Sequence, residues 1–214
     1  MIVAIVDCGS GNLRSVTRAL EHAAADAGVR ASVQVTRSPE EVLSADRIVL
    51  PGQGAFASCL AGLQAVDGLR AALDEAVQSR GTPYFGICVG MQLMADIGLE
   101  HGEYPGFGWI PGRVEPLRPD DSSLKIPHMG WNALALREPV HPVLANLPPR
   151  PHVYFVHSYQ LVPTDPVDCL AVADYGGPVT AAVGRNNLFG TQFHPEKSQT
   201  VGLRMLQHFL HWEP

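Results

Sequence analysis

The stretch "PYFGICVGMQL", residues 83–93, sets a cysteine between two glycines where an apolar run gives way to a helical pattern. Pro83 to Ile87 reads as a short buried strand, and the residues from Met91 onward read as a helix, so Cys88 falls on the bend between them. Gly86-Ile87-Cys88-Val89-Gly90 has the spacing of the Gly-x-Ser-x-Gly nucleophile elbow, with sulfur in place of oxygen. Glycines there let the backbone turn tightly and leave room for a substrate above the thiol. The thiolate is the reactive form of cysteine, and a helix N-terminus at the bend favours that anion.

Outward from this bend, the first half alternates strand and helix signals. "IVAIV", "ASVQV" and "RIVLPG" read as strands, and residues 12–25 and 69–79 read as helices. Such alternation predicts an α/β fold, a mainly parallel open sheet with helices on both faces. From Gly102 to about Asp174 the chain is rich in Pro, Gly and short β-like runs ("GRVEPL", "NALAL", "HVYFV", "CLAVAD"), which predict antiparallel additions near the sheet edge. "LFGTQF" is a late strand, and Ser198 is expected to cap a closing helix. No linker-like segment interrupts residues 1–214, so a single domain is expected.

In open α/β sheets chemistry collects at the carboxyl ends of strands. Four signals fall there: "DCGSGN", "PGQG", "GICVG" and "FHPEKS". Cys88 needs a base, and His194 follows a strand that ends at the same edge. Pro195 keeps His194 out of helix, so the segment is expected to be extended, with His194 and Glu196 on one face. The carboxylate then orients the imidazole and stabilises its charged form. Attack on an amide carbonyl also needs fixed N–H donors for the developing oxyanion. The backbone N–H of Val89 is one, and the loop Pro51-Gly52-Gln53-Gly54 is expected to supply the other.

Bulk properties narrow the class. The chain has 214 residues, 46% hydrophobic and 17% charged, enough to bury a sizeable core. No apolar run approaches the ~20 residues that span a membrane, and the first residues lack a basic leader. A net charge of −6 argues against a general nucleic-acid surface. The four cysteines form no CxxC pair, which suggests a reducing cytoplasm and free thiols, with Cys8, Cys59 and Cys169 as small core residues.

Other signals are weaker. Gly9-Ser10-Gly11 has Arg14 where a dinucleotide fingerprint needs its third glycine, and "GQGAFA" follows a later strand. His208 and His211 lack a third ligand, so they are expected as a solvated or dipole-facing pair; no metal and no cofactor is expected.

"PGQGAF", "GICVGMQLM", "PHMGWN", "YFVHSY" and "GTQFHPEKS" together resemble the class I, triad-type glutamine amidotransferases, over nearly the whole chain. "PHMGWN" followed by "YFVHSY" is most similar to the glutaminase subunits of histidine biosynthesis, which pair with a (β/α)8-barrel cyclase. The resemblance implies a flavodoxin-like fold, hydrolysis of L-glutamine through a Cys88 thioester, and delivery of ammonia to that partner in a heterodimer. It implies the triad Cys88, His194 and Glu196, and an oxyanion region at Gly52 and Val89. It implies glutamine contacts at Gln92, Glu100, Ser158 and Tyr159. It implies a partner-facing surface carrying Asn12, Arg14, Trp131, Asn132, Tyr154 and Lys197. Two positions depart from the pattern: Cys8, where tyrosine is expected, and Gln53, where a small apolar residue is expected. The two-glycine loop can accept either peptide orientation, so low resting activity, raised when the partner is loaded, is expected. The alternatives are the glutaminase subunit of another pathway, such as pyridoxal phosphate or anthranilate synthesis, a stand-alone cysteine hydrolase of the same architecture, and a non-catalytic assembly subunit.

Overall fold

The computed structural model describes residues 1–214. The first half builds β1 (Ile2–Val6), α1 (Leu13–Asp26), β2 (Ser32–Thr36), α2 (Pro39–Leu43), β3 (Arg47–Gly52), α3 (Phe56–Gln64), α4 (Leu69–Asp74) and β4 (Tyr84–Cys88). Local chemistry sets the helix starts. Asn12 accepts from the amide of Ser15 to begin α1, and Ser38 accepts from Glu41 ahead of Pro39 to begin α2. Val16, Leu20, Ala23 and Ala24 form the buried stripe of α1. The pattern expected to be one helix over 69–79 divides into α4 and a π-helical turn, Glu75–Ser79.

After β4 comes α5, which is a single turn, Val89–Gln92. The helix expected from Met91 onward ends at Gln92, and the chain from Leu93 turns back into β5 (Ile97–Gly98). Then follow β6 (Tyr104–Pro105), β7 (Gly112–Pro116), β8 (His128–Ala133), β9 (Ala135–Leu136), β10 (His152–His157), β11 (Tyr159–Pro163), β12 (Cys169–Asp174), β13 (Pro178–Arg185), β14 (Leu188–Thr191) and α6 (Gln199–His211).

The main sheet has eight strands in the order β2-β1-β3-β4-β14-β13-β12-β9. The first five run parallel, and β13, β12 and β9 extend it antiparallel. The remaining β-like runs do not join that edge. They form a β10–β8 ribbon and a four-stranded sheet β11-β7-β5-β6. β3 and β4 are buried at every position, as central parallel strands are. The carboxyl ends of β3, β4 and β14 converge, and β10 and β11 fold over them.

Two cysteines depart from expectation. Cys8 and Cys59 are joined as a disulfide, with Cα atoms 5.2 Å apart across 51 residues of sequence; Cys88 and Cys169 are free. The close approach depends on Gly62: a Cβ there would lie 1.7 Å from the Cys8 carbonyl oxygen. α3 can therefore press onto the end of β1 and bring Cys59 over Cys8.

Candidate active site

The elbow is built by close backbone packing. Cys88 has φ 55 and ψ −112, a region that side chains rarely occupy. A Cβ on Gly90 would sit 1.8 Å from the carbonyl oxygen of Leu50 in β3, and one on Gly86 would sit 2.5 Å from the carbonyl oxygen of Gly90. The glycines thus serve contact between β3, β4 and α5 more than space above the thiol. Cys88 is 5% exposed, at the floor of a cavity of about 440 Å³ that Gln53, Gly54, Val89, His194 and Lys197 also line.

His194 reaches this cavity from the end of β14. Its amide donates to the carbonyl of Tyr154 at 3.0 Å, and its own carbonyl accepts from the Ser198 hydroxyl at 2.7 Å. That hydroxyl also accepts from the amide of Tyr154, so Ser198 anchors the histidine segment and makes no side-chain cap on α6. His194 is extended as expected, but Pro195–Lys197 forms a 3-10 turn, since a fixed φ near −65° suits a first helical residue too. Glu196 Oε1 still meets His194 Nδ1 at 2.8 Å. A carboxylate only accepts, so Nδ1 carries the proton and Nε2 is turned to the cavity.

Burial works against charge on His194, but neighbouring Cys88 and Glu196 outweigh it and push the imidazole pKa up to about 9. Nε2 and Glu196 Oε2 are both buried without a hydrogen-bond partner. Nε2 therefore makes no hydrogen bond of standard geometry to the sulfur in this state, as catalytic contacts often tighten only once substrate is bound.

Gln92, Glu100, Ser158 and Tyr159 all line the same cavity. Glu100 Oε2 accepts from the amide of Phe56 at 2.7 Å, capping α3 from across the pocket. Gln92 Nε2 donates to the carbonyl of Tyr159 at 3.1 Å and to Gln192 Oε1 at 3.0 Å. Val89 and Gln53 lie on the wall, while Gly52 sits opposite Cys88 in the β3–β4 ladder, packed against Val89 and Gly90.

The expected partner-facing residues cluster in part. Trp131 is 48% exposed on β8, so it fills no core; it meets Tyr154 edge-on at 6.0 Å, and Lys197 Nζ lies 5.8 Å from the Tyr154 ring. Asn132 points inward, donating to the carbonyl of Asp174 at 2.8 Å. Asn12 caps α1 and Arg14 is exposed on its first turn. His208 is no freely solvated residue, since its Nδ1 lies 3.2 Å from the carbonyl of Val143. No group of His, Cys, Asp and Glu is arranged to hold a metal ion.

Sequence reasoning missed three buried polar residues. His157 Nδ1 lies 2.9 Å from the carbonyl of Tyr159, and its Nε2 lies 2.9 Å from His128 Nδ1. The carbonyl fixes both tautomers, leaving His128 Nε2 to accept from Asn132. Burial holds both rings neutral, with pKa values lowered to about 4. Gln192 is fully buried beside Cys88. Gln192 lies just past the end of β14, two residues before His194, in the segment that also delivers His194 to the cavity.

The chain matches the family described as "Glutamine amidotransferase class-I" over residues 4–212, and it belongs to that class. It is similar to solved structures of the class at the level of fold. One, a glutamine amidotransferase, gives a TM-score of 0.72 at 19% identity, covering 99% of this chain and 98% of that one. Another, the glutaminase domain of the Trypanosoma brucei CTPS with bound acivicin, gives 0.63 at 16% identity, covering 100% and 95%. Within the class, full-length relatives bear the name imidazole glycerol phosphate synthase subunit HisH. That of Rhodospirillum rubrum is 58% identical and that of Mesorhizobium japonicum 55%, each covering 100% of both chains. That of Zymomonas mobilis is 53% identical, covering 99% of this chain and 96% of its own. At these identities the protein belongs to the HisH family.

Proposed function

We propose that the chain is the glutaminase subunit of imidazole glycerol phosphate synthase, with Cys88, His194 and Glu196 as its triad. The observation that carries this is a strained elbow cysteine sharing one cavity with a buried, carboxylate-held histidine. The Cys88 thiolate attacks the side-chain carbonyl carbon of L-glutamine. The oxyanion is met by the N–H of Val89 and by the 51–54 loop. Imidazolium His194 gives its proton to the leaving nitrogen, ammonia departs, and a γ-glutamyl thioester remains on Cys88. Neutral His194 then takes a proton from water as it attacks, and glutamate leaves. Gln92, Glu100, Ser158 and Tyr159 hold the amino-acid end of the substrate.

Ammonia in water near pH 7 is mostly protonated, so a synthase gains by passing it directly to the next site. The partner in this reading is a (β/α)8-barrel cyclase in a heterodimer, seated on the rim of Trp131, Tyr154 and Lys197 and reaching Asn12 and Arg14 at the start of α1, with Asn132 supporting β8 from behind. An exposed aromatic beside a lysine suits such an interface. The cyclase converts its ribulosyl-formimino nucleotide to imidazole glycerol phosphate and an aminoimidazole carboxamide ribotide. Resting turnover is low and rises when the cyclase holds its ligand, through the 51–54 loop. The setting is the cytoplasm, where disulfides are uncommon and the Cys8–Cys59 pair has to form against a reducing pool. Glutamate release, measured for the chain with and without cyclase and nucleotide, tests the reading. Cys88→Ala abolishes glutamine-dependent synthesis and spares synthesis from ammonium salts; loss of both would make Cys88 structural.

A further inference from the structure

Between the glutamine pocket and the nucleophile runs a chain of amide hydrogen bonds whose direction is fixed at one end. The carbonyl of Tyr159 can only accept, so the Gln92 group 3.1 Å from it is its NH2. The second hydrogen of that NH2 goes to Gln192, 3.0 Å away, so the Gln192 atom there is its oxygen. The other end of the same side chain must then be its NH2, and that group lies 3.6 Å from Cys88 Sγ, a separation suited to sulfur's larger radius. Gln192 is completely buried, and its backbone amide is tied to the carbonyl of Ala181 at 2.9 Å in the sheet. Neither end of it is free to rotate away.

We infer that Gln192 is a further catalytic residue, which donates an N–H to the Cys88 thiolate and holds it in line for attack. A buried thiolate has lost its water shell, and the imidazolium of His194 supplies only one of the polar contacts an anion needs. The Gln192 amide supplies another without bringing a proton that can be transferred. It therefore stabilises the anion and leaves acid–base chemistry to His194. Because the donor is oriented through Gln92, occupation of the pocket by glutamine and the aim of this N–H are linked. The inference rests on the thioester reading above.

The test is the pH dependence of Cys88 alkylation by iodoacetamide, read on the Cys88 peptide by mass spectrometry in the full chain, beside glutamine kinetics. Gln192→Leu removes the donor; Gln192→Glu keeps the shape and puts a negative charge against the sulfur. The inference predicts that the alkylation midpoint rises by about one pH unit in Gln192→Leu and further in Gln192→Glu. It predicts that kcat falls about tenfold or more in both, with KM changed less. A filling role alone would leave the alkylation midpoint of Gln192→Leu, apolar and close in volume, at the wild-type value, and that result overturns the inference. Unchanged midpoints in both variants overturn it as well. Cys88→Ala, run alongside, separates the two readings: if it still hydrolyses glutamine, the thioester itself is wrong.

Discussion

The backbone of Tyr154 grips the backbone of His194 from both sides. The His194 amide donates to the Tyr154 carbonyl at 3.0 Å, and Ser198 Oγ bridges the Tyr154 amide to the His194 carbonyl. The side chain of Tyr154 stands on the exposed rim beside Trp131 and Lys197, while His194 is 2% exposed at the cavity floor. A partner that presses on the rim therefore pushes, through β10, on the backbone segment that carries His194.

Glu196 is expected to set the charge of His194. In Glu196→Gln the imidazole loses its anionic partner, and its pKa falls from about 9 toward or below the ordinary value. kcat for glutamine should drop by roughly 10³–10⁴-fold, as when the orienting carboxylate of a triad is neutralised. The sign for stability follows. A histidine pKa raised from 6.5 to about 9 favours the fold fully below pH 6.5 and loses that advantage as pH rises through about 9. Denaturant midpoints of wild type should decline over that window, and those of Glu196→Gln should decline less.

At acid pH the opposite group acts. His128 and His157 are buried and His141 is half-buried; desolvation keeps all three neutral, with pKa values lowered to about 4. Unfolded histidines bind protons below about 6.5, so stability should fall progressively from pH 6.5 to 4. Urea titrations across that range check it, and His157→Gln should flatten the curve. A curve of equal slope in that variant would show that His157 does not contribute.

Gly90→Ala is expected to destroy the elbow. Its Cβ would lie 1.8 Å from the Leu50 carbonyl oxygen, a backbone atom in the middle of a buried strand. A loss of about 3 kcal/mol or more is expected, measured by denaturant unfolding, with Cys88 alkylation falling in parallel.

The cysteine pairing is open to a direct count. Unfolded without reductant, the oxidised chain should give two titratable thiols, Cys88 and Cys169, and after reduction four. Four thiols without reductant would contradict the Cys8–Cys59 bond.

The strand-helix alternation, the elbow spacing and His-Pro-Glu were legible in the sequence because each rests on neighbouring residues whose backbone preferences are strong. The parallel half of the sheet follows from them. The Cys8–Cys59 bond was not legible, since 51 residues separate its ends and only the missing Cβ of Gly62 lets them meet. Nor were the separate β8–β10 and β11-β7 sheets, because short Pro-rich strands carry no mark of their partners. Ser198 had the residue type of a helix cap, but its hydroxyl is taken by His194 and Tyr154. Gln192 was not legible, because the chain bends after β14 and turns at Pro195–Lys197, so no alternation marks which residues there face Cys88.

The proposed chemistry turns on a covalent glutamyl group carried by one sulfur. Acid-quenched mass spectrometry of the intact chain, taken during turnover of glutamine with the cyclase loaded, tests it directly. A mass gain of one γ-glutamyl group is expected, located on the Cys88 peptide and absent in Cys88→Ala. Steady hydrolysis with no adduct in His194→Ala or wild type, or an adduct on another residue, would contradict it.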